Sequence, residues 1–514
     1  MHRGLFRSTS IFSAMVFISR LLGFMRDMVI AYTFGATGTT DAFFVAFKIP
    51  NFMRRLFAEG AFSQAFVPVL VEYKQQRTQI QLQQYIDDTA SVLMIVLLTL
   101  TFVGIIIAPL LITLFSPGFA HDSSRFVLAT RMLRITLPYI LLISLTAFAG
   151  SILNAYHRFA ASAFTPVWLN LAVIASAIFL APHLSQPIVA LAWGVFIGGI
   201  LQLGFQYPFL KHLQLVPSFQ WRWRSVRLQR GLKFMLPAIF GVSTMQIGLL
   251  IDMMFASFLP QGSVSWLYNS ERLIMFPLGV FGVALATVIL PHLAKKFADK
   301  SVAEYSQTMN WAIQSVLLIG IPAAIGLMVL SAPLLISLFN YGHFNRFDVL
   351  MTQHALIGYA FGIPFMILVK VLVSGFYARQ DIKTPVKIAL LALLVNIVLN
   401  FMLIVPLKHA GLALATAVSA LVNASLLFML LLKDRIIKLQ RGWWYFLIRC
   451  VIANVLMLLL ICYLNSSITQ WFVWHWQLRF LHLLMIILTA AVFYLLLLRL
   501  LGLQLFKGPL DANY

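Results

Sequence analysis

Ala155-Tyr156-His157-Arg158, followed a few residues on by Thr165-Pro166-Val167, returns later in the chain as Phe376-Tyr377-Ala378-Arg379 followed by Thr384-Pro385-Val386. The offset is about 220 residues, and Phe66-Val67-Pro68 and Ile289-Leu290-Pro291 repeat at nearly the same offset. Each of the latter reads as closing a long helix before a basic loop, and each Thr-Pro as a helix start, where proline suits the first turn. Separate short matches on one offset indicate a duplicated unit. Around them lie apolar runs near or above the ~20 residues that cross ~30 Å of hydrocarbon. Candidate cores begin near Ile11, Ala42, Val92, Thr136, Thr165, Val189, Phe234, Val264, Ala312, Leu356, Ile388, Leu412, Phe446 and Leu481. The offset spans about six such runs, an even number, so the copies keep one orientation and form a parallel repeat about the membrane normal. The sequence therefore predicts an all-α polytopic membrane protein of about fourteen transmembrane helices. Residues 1–220 form an N-terminal six-helix lobe, 221–440 a C-terminal six-helix lobe, and 441–514 two additional helices outside the repeat.

Composition agrees: 61% of 514 residues are hydrophobic, 10% are charged, and the mean hydropathy is +0.92. No soluble domain buries so much apolar surface. Transmembrane β-barrels are excluded, because their segments alternate every second residue and are only ~10 residues long. The net charge of +22 sits in alternate loops, with Lys74 and Arg77, Arg158, Lys211 to Lys233, Lys295 to Lys300, Arg379 and Lys383, and Lys433 to Arg441 on one side. The intervening loops hold almost only Arg125, Arg346 and Lys408. By the positive-inside rule the first set is cytoplasmic, as are both termini, and no nucleic-acid partner is implied. Cys450 and Cys462 fall in one predicted helix, ~18 Å apart, too far to bridge. The first apolar run continues through Ser19-Arg20 without a small-residue cleavage site and reads as the first helix rather than a signal peptide.

Chemistry should lie where charge enters the membrane, because each ionisable group there costs at least ~2.5 kcal/mol. The first predicted helix carries Arg20, Arg26 and Asp27; the second carries Asp41, Lys48, Arg54, Arg55 and Glu59; Glu271 and Arg272 share another, and Asp252 stands alone in the helix before it. At ~1.5 Å per residue, Arg20 and Arg54 fall near the midplane and Arg26 and Arg272 ~12 to 15 Å in from the outer side. Arginine grips phosphate through a bidentate fork without losing its charge, so the set predicts an anionic, phosphorylated substrate. Blander readings stand beside this one. Arg26 with Asp27, and Arg55 with Glu59, read equally as ion pairs inside a bundle. Asp41 reads as a cap on its own helix, Lys48 as a snorkelling cation or a partner of Asp41, and Asp252 as a protonated structural carboxyl. No Walker-type loop, paired-cysteine metal signature, His-Glu-x-x-His or nucleophile elbow occurs, and with fifteen acidic residues no acid or base cluster for a membrane transferase is found.

Three long strings carry a resemblance: Ser19 to Asp27 (SRLLGFMRD), Thr40 to Asn51 (TDAFFVAFKIPN) and Arg54 to Pro68 (RRLFAEGAFSQAFVP). With Gly262 to Arg272, Phe276-Pro277 and Gly375 to Pro385, they make the chain similar to the MurJ (MviN) family of lipid II flippases, in the multidrug/oligosaccharidyl-lipid/polysaccharide exporter superfamily. The match covers nearly the whole chain and weakens after about Arg441. The resemblance implies a non-enzymatic transporter of the bacterial inner membrane that moves the lipid-linked peptidoglycan precursor outward for cell-wall synthesis. Two lobes would enclose a cationic cavity, and the last two helices would add a groove for the polyprenyl tail. Carried over by motif, Arg20, Arg26, Arg54 and Arg272 are the substrate-binding arginines, with Asp27, Asp41, Lys48, Glu59 and Lys370 as supporting charges. Met275 stands where some relatives place an acid, and Asp252 where some have a neutral residue, so Asp252 is a candidate for ion coupling with neither sodium nor proton assigned. No cofactor is implied, and the expected partners are lipid II, membrane lipids and proteins of cell-wall synthesis. Export of another lipid-linked oligosaccharide and a non-transporting lipid II-binding scaffold are the alternatives.

Overall fold

The computed structural model describes residues 2–54, 62–218, 248, 250–438 and 442–503. Helices carry the chain, and no strand occurs among the described residues. The core expected near Phe234 lies outside the described residues; the other candidate cores fall on helices. Ten helices among the described residues are long and apolar enough to cross a membrane. His2–Phe34 and Gly38–Arg54, which bear most of the expected intramembrane charge, stand outside that set, the latter because it is only 17 residues long. Cores expected near Ile388 and Leu412 appear as one run, Lys383–Lys433, divided at Lys408 by a non-helical backbone (φ 51, ψ −131).

The duplicated sequence has duplicated geometry. Pro138–Ala155 ends with His157 in the left-handed region (φ 58), where Arg158 N–H reaches back to the Leu153 carbonyl at 2.8 Å. Arg346–Ala378 ends with Gln380 (φ 61), and Asp381 N–H reaches the Phe376 carbonyl at 3.1 Å. Both are the six-to-one closure that satisfies the last carbonyls of a helix, and the basic residues beside them complement its negative end. Pro385 lies in the first turn of its helix, with Thr384 N–H capped by Asp381 at 3.1 Å, and Pro166 opens Pro166–Ala175 directly after the short helix Phe159–Phe164. One expectation is corrected: Pro68 and Pro291 do not close their helices but sit inside Phe62–Gln76 and Val283–Ala298. An interior proline in a membrane helix is tolerated where neighbours re-satisfy the freed carbonyl.

Compactness divides the chain into Met1–Ser265 and Trp266–Tyr514. The division lies beyond residue 220, where the repeat places the lobe boundary, because residues 257–265 are held by first-half backbone and side-chain groups described below. In the first unit, Val189–His212 packs on Pro166–Ala175 through Gly194 and Gly198, where a Cβ would come within 2.9 Å of the Val173 Cα and 3.0 Å of the Leu169 Cα. Small residues four apart let membrane helices approach this closely. The second unit uses the same device, Gly358 and Gly362 facing Ala413 and Ala417. Its last two helices, Trp443–Leu464 and Trp476–Leu500, pack on each other and on Val302–Val329, to which Tyr494 Oη donates at the Leu318 carbonyl (2.9 Å). Cys450 and Cys462 are free thiols on the first of these two helices.

Candidate functional site

Helix His2–Phe34 exposes Arg20 but buries Arg26 and Asp27. The Arg26 guanidinium donates from Nε (3.0 Å) and Nη2 (2.6 Å) to Asp27 Oδ1, and from Nη1 to Asn170 Oδ1 (3.3 Å). Asn170 in turn donates to the Ser19 carbonyl (3.2 Å), tying Pro166–Ala175 to the first helix. The Phe47 ring lies 5.8 Å from the guanidinium carbon. The ion-pair reading of Arg26 and Asp27 is therefore the one realised. A pair this buried persists only with its remaining donors occupied, and Asn170 supplies that. Asn170 went unmarked in the sequence reading; its signal was an amide inside the apolar run Val167 to Ile174.

Gly38–Arg54 places Arg54 and Lys48 at half-buried positions, and Arg54 Nε donates to Asn51 Oδ1 (2.9 Å) one turn earlier. Arg55 and Glu59 lie outside the described residues. Asp41 is fully buried, and its cap is not the one expected. Thr37 Oγ1 receives Thr40 N–H (3.4 Å) and caps Gly38–Arg54 itself. The Asp41 carboxylate instead accepts Gly262 N–H (2.7 Å), Ser265 N–H (2.9 Å) and Ser265 Oγ (2.6 Å), closing the exposed amides of Ser263–Pro277. A carboxylate against a helix N-terminus is favoured by the unpaired amides and by the helix dipole. The sequence could not show this because the two partners are more than 220 residues apart. Asp252 is buried in the helical stretch 250–257 of the same unit.

In the second unit, Arg272 and Glu271 are half-buried on Ser263–Pro277, with Met275 exposed one turn on. The helix then widens into a π-turn at Leu278–Gly282, and Lys370, half-buried on Arg346–Ala378, would meet a Cβ at Gly282 at 3.3 Å. A polar cluster that sequence reasoning missed joins the two arms of Lys383–Lys433: Asn400 Nδ2 donates to Asn396 Oδ1 (3.2 Å), Asn396 Nδ2 to Thr416 Oγ1 (3.4 Å), and Ser419 Oγ to the Ala392 carbonyl (2.6 Å). Its signal was the pair of asparagines four residues apart in an apolar run. Among the described residues no group of three histidines, cysteines or acids stands close enough to hold a metal ion. In the first unit, then, Arg26 and Asp27 are committed to each other and the Asp41 carboxylate to a helix end, while Arg20 stands exposed and Lys48 and Arg54 half-buried.

Comparison with known proteins identifies the family. The family model described as "Lipid II flippase MurJ" matches residues 30–492. A Vibrio cholerae protein named "Probable lipid II flippase MurJ" is 42% identical over 98% of this chain and 97% of its own. The "Lipid II flippase MurJ" of Burkholderia cenocepacia is 43% identical over 88% of this chain and 89% of its own. Among solved structures, "Lipid II flippase MurJ, inward closed conformation" superposes with a TM-score of 0.80 at 27% identity, covering 96% of this chain and 99% of that one. An inward-facing multidrug transporter of the MATE family superposes at 0.65 with 14% identity over 83% of this chain and 97% of that one, a likeness of fold alone.

Proposed function

The chain belongs to the lipid II flippase MurJ family, and on that premise we propose that it moves lipid II, the undecaprenyl-diphosphate-linked peptidoglycan precursor, from the cytoplasmic to the periplasmic leaflet. The observation that carries this reading is the match over residues 30–492, supported by relatives above 40% identity along nearly the whole chain. Its function is transport rather than catalysis. The location is the bacterial inner membrane with both termini cytoplasmic, as the alternating basic loops support.

The mechanism is alternating access between two lobes. Arg20, Arg54 and Arg272 meet the diphosphate and replace the water it sheds, Arg26, held by Asp27 and Asn170, braces the first helix against Pro166–Ala175 in place of the substrate-binding role the resemblance implied, and the last two helices guide the lipid tail. A membrane potential negative inside favours outward movement of an anion by ~2.3 kcal/mol per charge per 100 mV. Coupling to sodium or protons through Asp252 is an additional route. A multidrug exporter of cations is disfavoured, because surplus arginine repels such a substrate.

Proteoliposomes loaded with lipid II test the reading, with leaflet position read by a membrane-impermeant reagent. Transfer between leaflets by the parent protein is expected; binding without transfer would make the chain a scaffold. Alanine at Arg20, Arg54 or Arg272 should abolish or sharply reduce transfer while insertion stays normal, because removing an intramembrane charge lowers the insertion cost. Lysine should rescue poorly, since it keeps the charge and loses the fork. Full transfer by all three alanine variants would overturn the arginine assignment.

A further inference from the structure

Three turns on one side of the first unit meet through unusually close contacts. The turn Pro117–His121 brings Gly118 N–H to Ser257 Oγ (2.9 Å), and Ser257 Oγ donates onward to the Met254 carbonyl (2.6 Å). Ser257 is buried, its hydroxyl used in both senses. A Cβ on Gly118 would fall 2.3 Å from the Ser257 carbonyl oxygen, 2.4 Å from its carbon and 2.5 Å from the Phe258 nitrogen. These are backbone atoms that no rotamer change can move aside. Beside this contact Gln261 Nε2 donates to Asp122 Oδ2 (3.1 Å), and next to it Asp41 holds Gly262 and Ser265. These grips from Gly118, Asp122 and Asp41 on residues 257–265 come from residues 41–122.

By the internal repeat, residues 250–265 belong with the second half of the chain, yet here they are fastened to the first. Alternate basic loops put the turns at 35–37, 116–122 and 258–262 on the outer side together. A carrier that opens alternately inward and outward must part its halves on the outer side once per cycle. We infer that the backbone contact of Gly118 with Ser257 and Phe258 is a seat on which the outer side of the carrier closes, and that Gly118 is a positioning residue for transport because only glycine lets that seat close. The inference rests on the alternating-access reading. A side chain at position 118 is a wedge, shifting the population toward the outward-open state in proportion to the closure energy it removes. Gly38 is a built-in contrast: a Cβ there would meet Gln261 Cδ at 2.8 Å, the far end of a flexible side chain that can swing away.

The test uses the full-length protein in lipid II proteoliposomes, with a Ser263→Cys reporter and the exposed Cys462 changed to serine. Ser263 is fully buried and its Oγ has no hydrogen-bond partner, so the reporter removes no bond, and Cys450 is buried. Labelling by a membrane-impermeant maleimide should be slow in this background. Gly118→Ala should raise the labelling rate several-fold and lower lipid II transfer, while Gly38→Ala changes both far less. Should Gly118→Ala not accumulate, Gln261→Ala loosens the same seat without adding an atom and should raise labelling in the same direction by less. Labelling unchanged in Gly118→Ala, equal in Gly118→Ala and Gly38→Ala, or unchanged in Gln261→Ala when that variant is needed, overturns the inference. Labelling is read without substrate, so a parent protein that fails to move lipid II sinks the flippase reading and leaves the seat measurable.

Discussion

Val189–His212 ends at a left-handed Gln214 (φ 55), with Leu215 N–H closing on the Leu210 carbonyl at 3.1 Å; Lys383–Lys433 ends at a left-handed Arg435 (φ 55), with Ile436 N–H closing on the Leu431 carbonyl at 3.1 Å. Beyond each cap the chain is fastened across the start of another helix. In the first half Asp87 accepts Ser218 N–H and Oγ, both at 2.7 Å, and Gln83 Nε2 donates to the Val216 carbonyl (2.9 Å). In the second half Ser306 Oγ accepts Lys438 N–H (2.9 Å), Asn310 Nδ2 donates to the Lys438 carbonyl (2.9 Å), and Asn310 Oδ1 accepts Trp443 Nε1 (2.8 Å). Asp87 and Ser306, like Ser218 and Lys438, stand about 220 residues apart. One geometry is thus kept by a carboxylate where the chain leads toward the arginine-rich stretch 222–230, and by neutral groups where it leads into the last two helices.

The same contrast holds inside the membrane. The first unit holds a buried ion pair, Arg26–Asp27, and the second unit holds a neutral cluster, Asn396, Asn400 and Thr416. The two should fail differently. Removing one partner of a buried pair strands the other charge and costs ~3–5 kcal/mol, whereas interhelical hydrogen bonds between neutral groups in membranes average ~0.6 kcal/mol. Asp27→Ala should therefore lower thermal stability in detergent far more than Asn396→Ala, and Asp27→Asn should fall between them. Equal losses for Asp27→Ala and Asn396→Ala would dissolve the distinction between the buried ion pair and the neutral cluster.

Smaller effects are expected at the straps. Hydrogen bonds to a charged group contribute ~1.5–3 kcal/mol and neutral ones ~0.5–1.5 kcal/mol. Asp87→Ala should destabilise more than Ser306→Ala, and Asp87→Asn should retain part of the difference because an amide oxygen still accepts from Ser218. Denaturant titration of each variant measures the ordering. A reversed order would mean that the chain beyond Arg435 depends on its strap more than the chain beyond Gln214 does.

Much of this architecture was legible in sequence because it follows from quantities local to a segment. Apolar length gave the helices, and Arg26 beside Asp27 offered an ion pair as one of two readings. What escaped depends on partners distant in the chain. Asp41 looks like a cap on the helix it begins, and only the fold brings the amides of Gly262 and Ser265 to its carboxylate. Gly118 looks like an ordinary turn glycine until the Ser257 backbone lies against it. Pro68 and Pro291 look like helix ends because proline usually is one in water, yet their helices run on.

The smallest effect concerns Asp122, which joins Gln261 and caps Ser123–Thr136. Its carboxyl is held below the usual carboxylate range by the Ser124 hydroxyl, then by the Arg125 amide, with the Arg125 and Gln261 side chains adding to the same direction against a desolvation cost. A carboxyl whose folded-state pKa is depressed contributes stability above its unfolded value, near ~3.9, and loses that contribution as pH falls through the folded value. Asparagine at this position keeps the cap and removes the charge. The stability difference between the parent protein and Asp122→Asn should be constant near neutrality, shrink below about pH 4, and stay small throughout because the carboxylate is largely solvated. Melting temperatures of both proteins across that range measure it. A difference that grows on acidification would mean that Asp122 acts through its protonated form, and its contacts with Ser124, Arg125 and Gln261 would then owe nothing to charge.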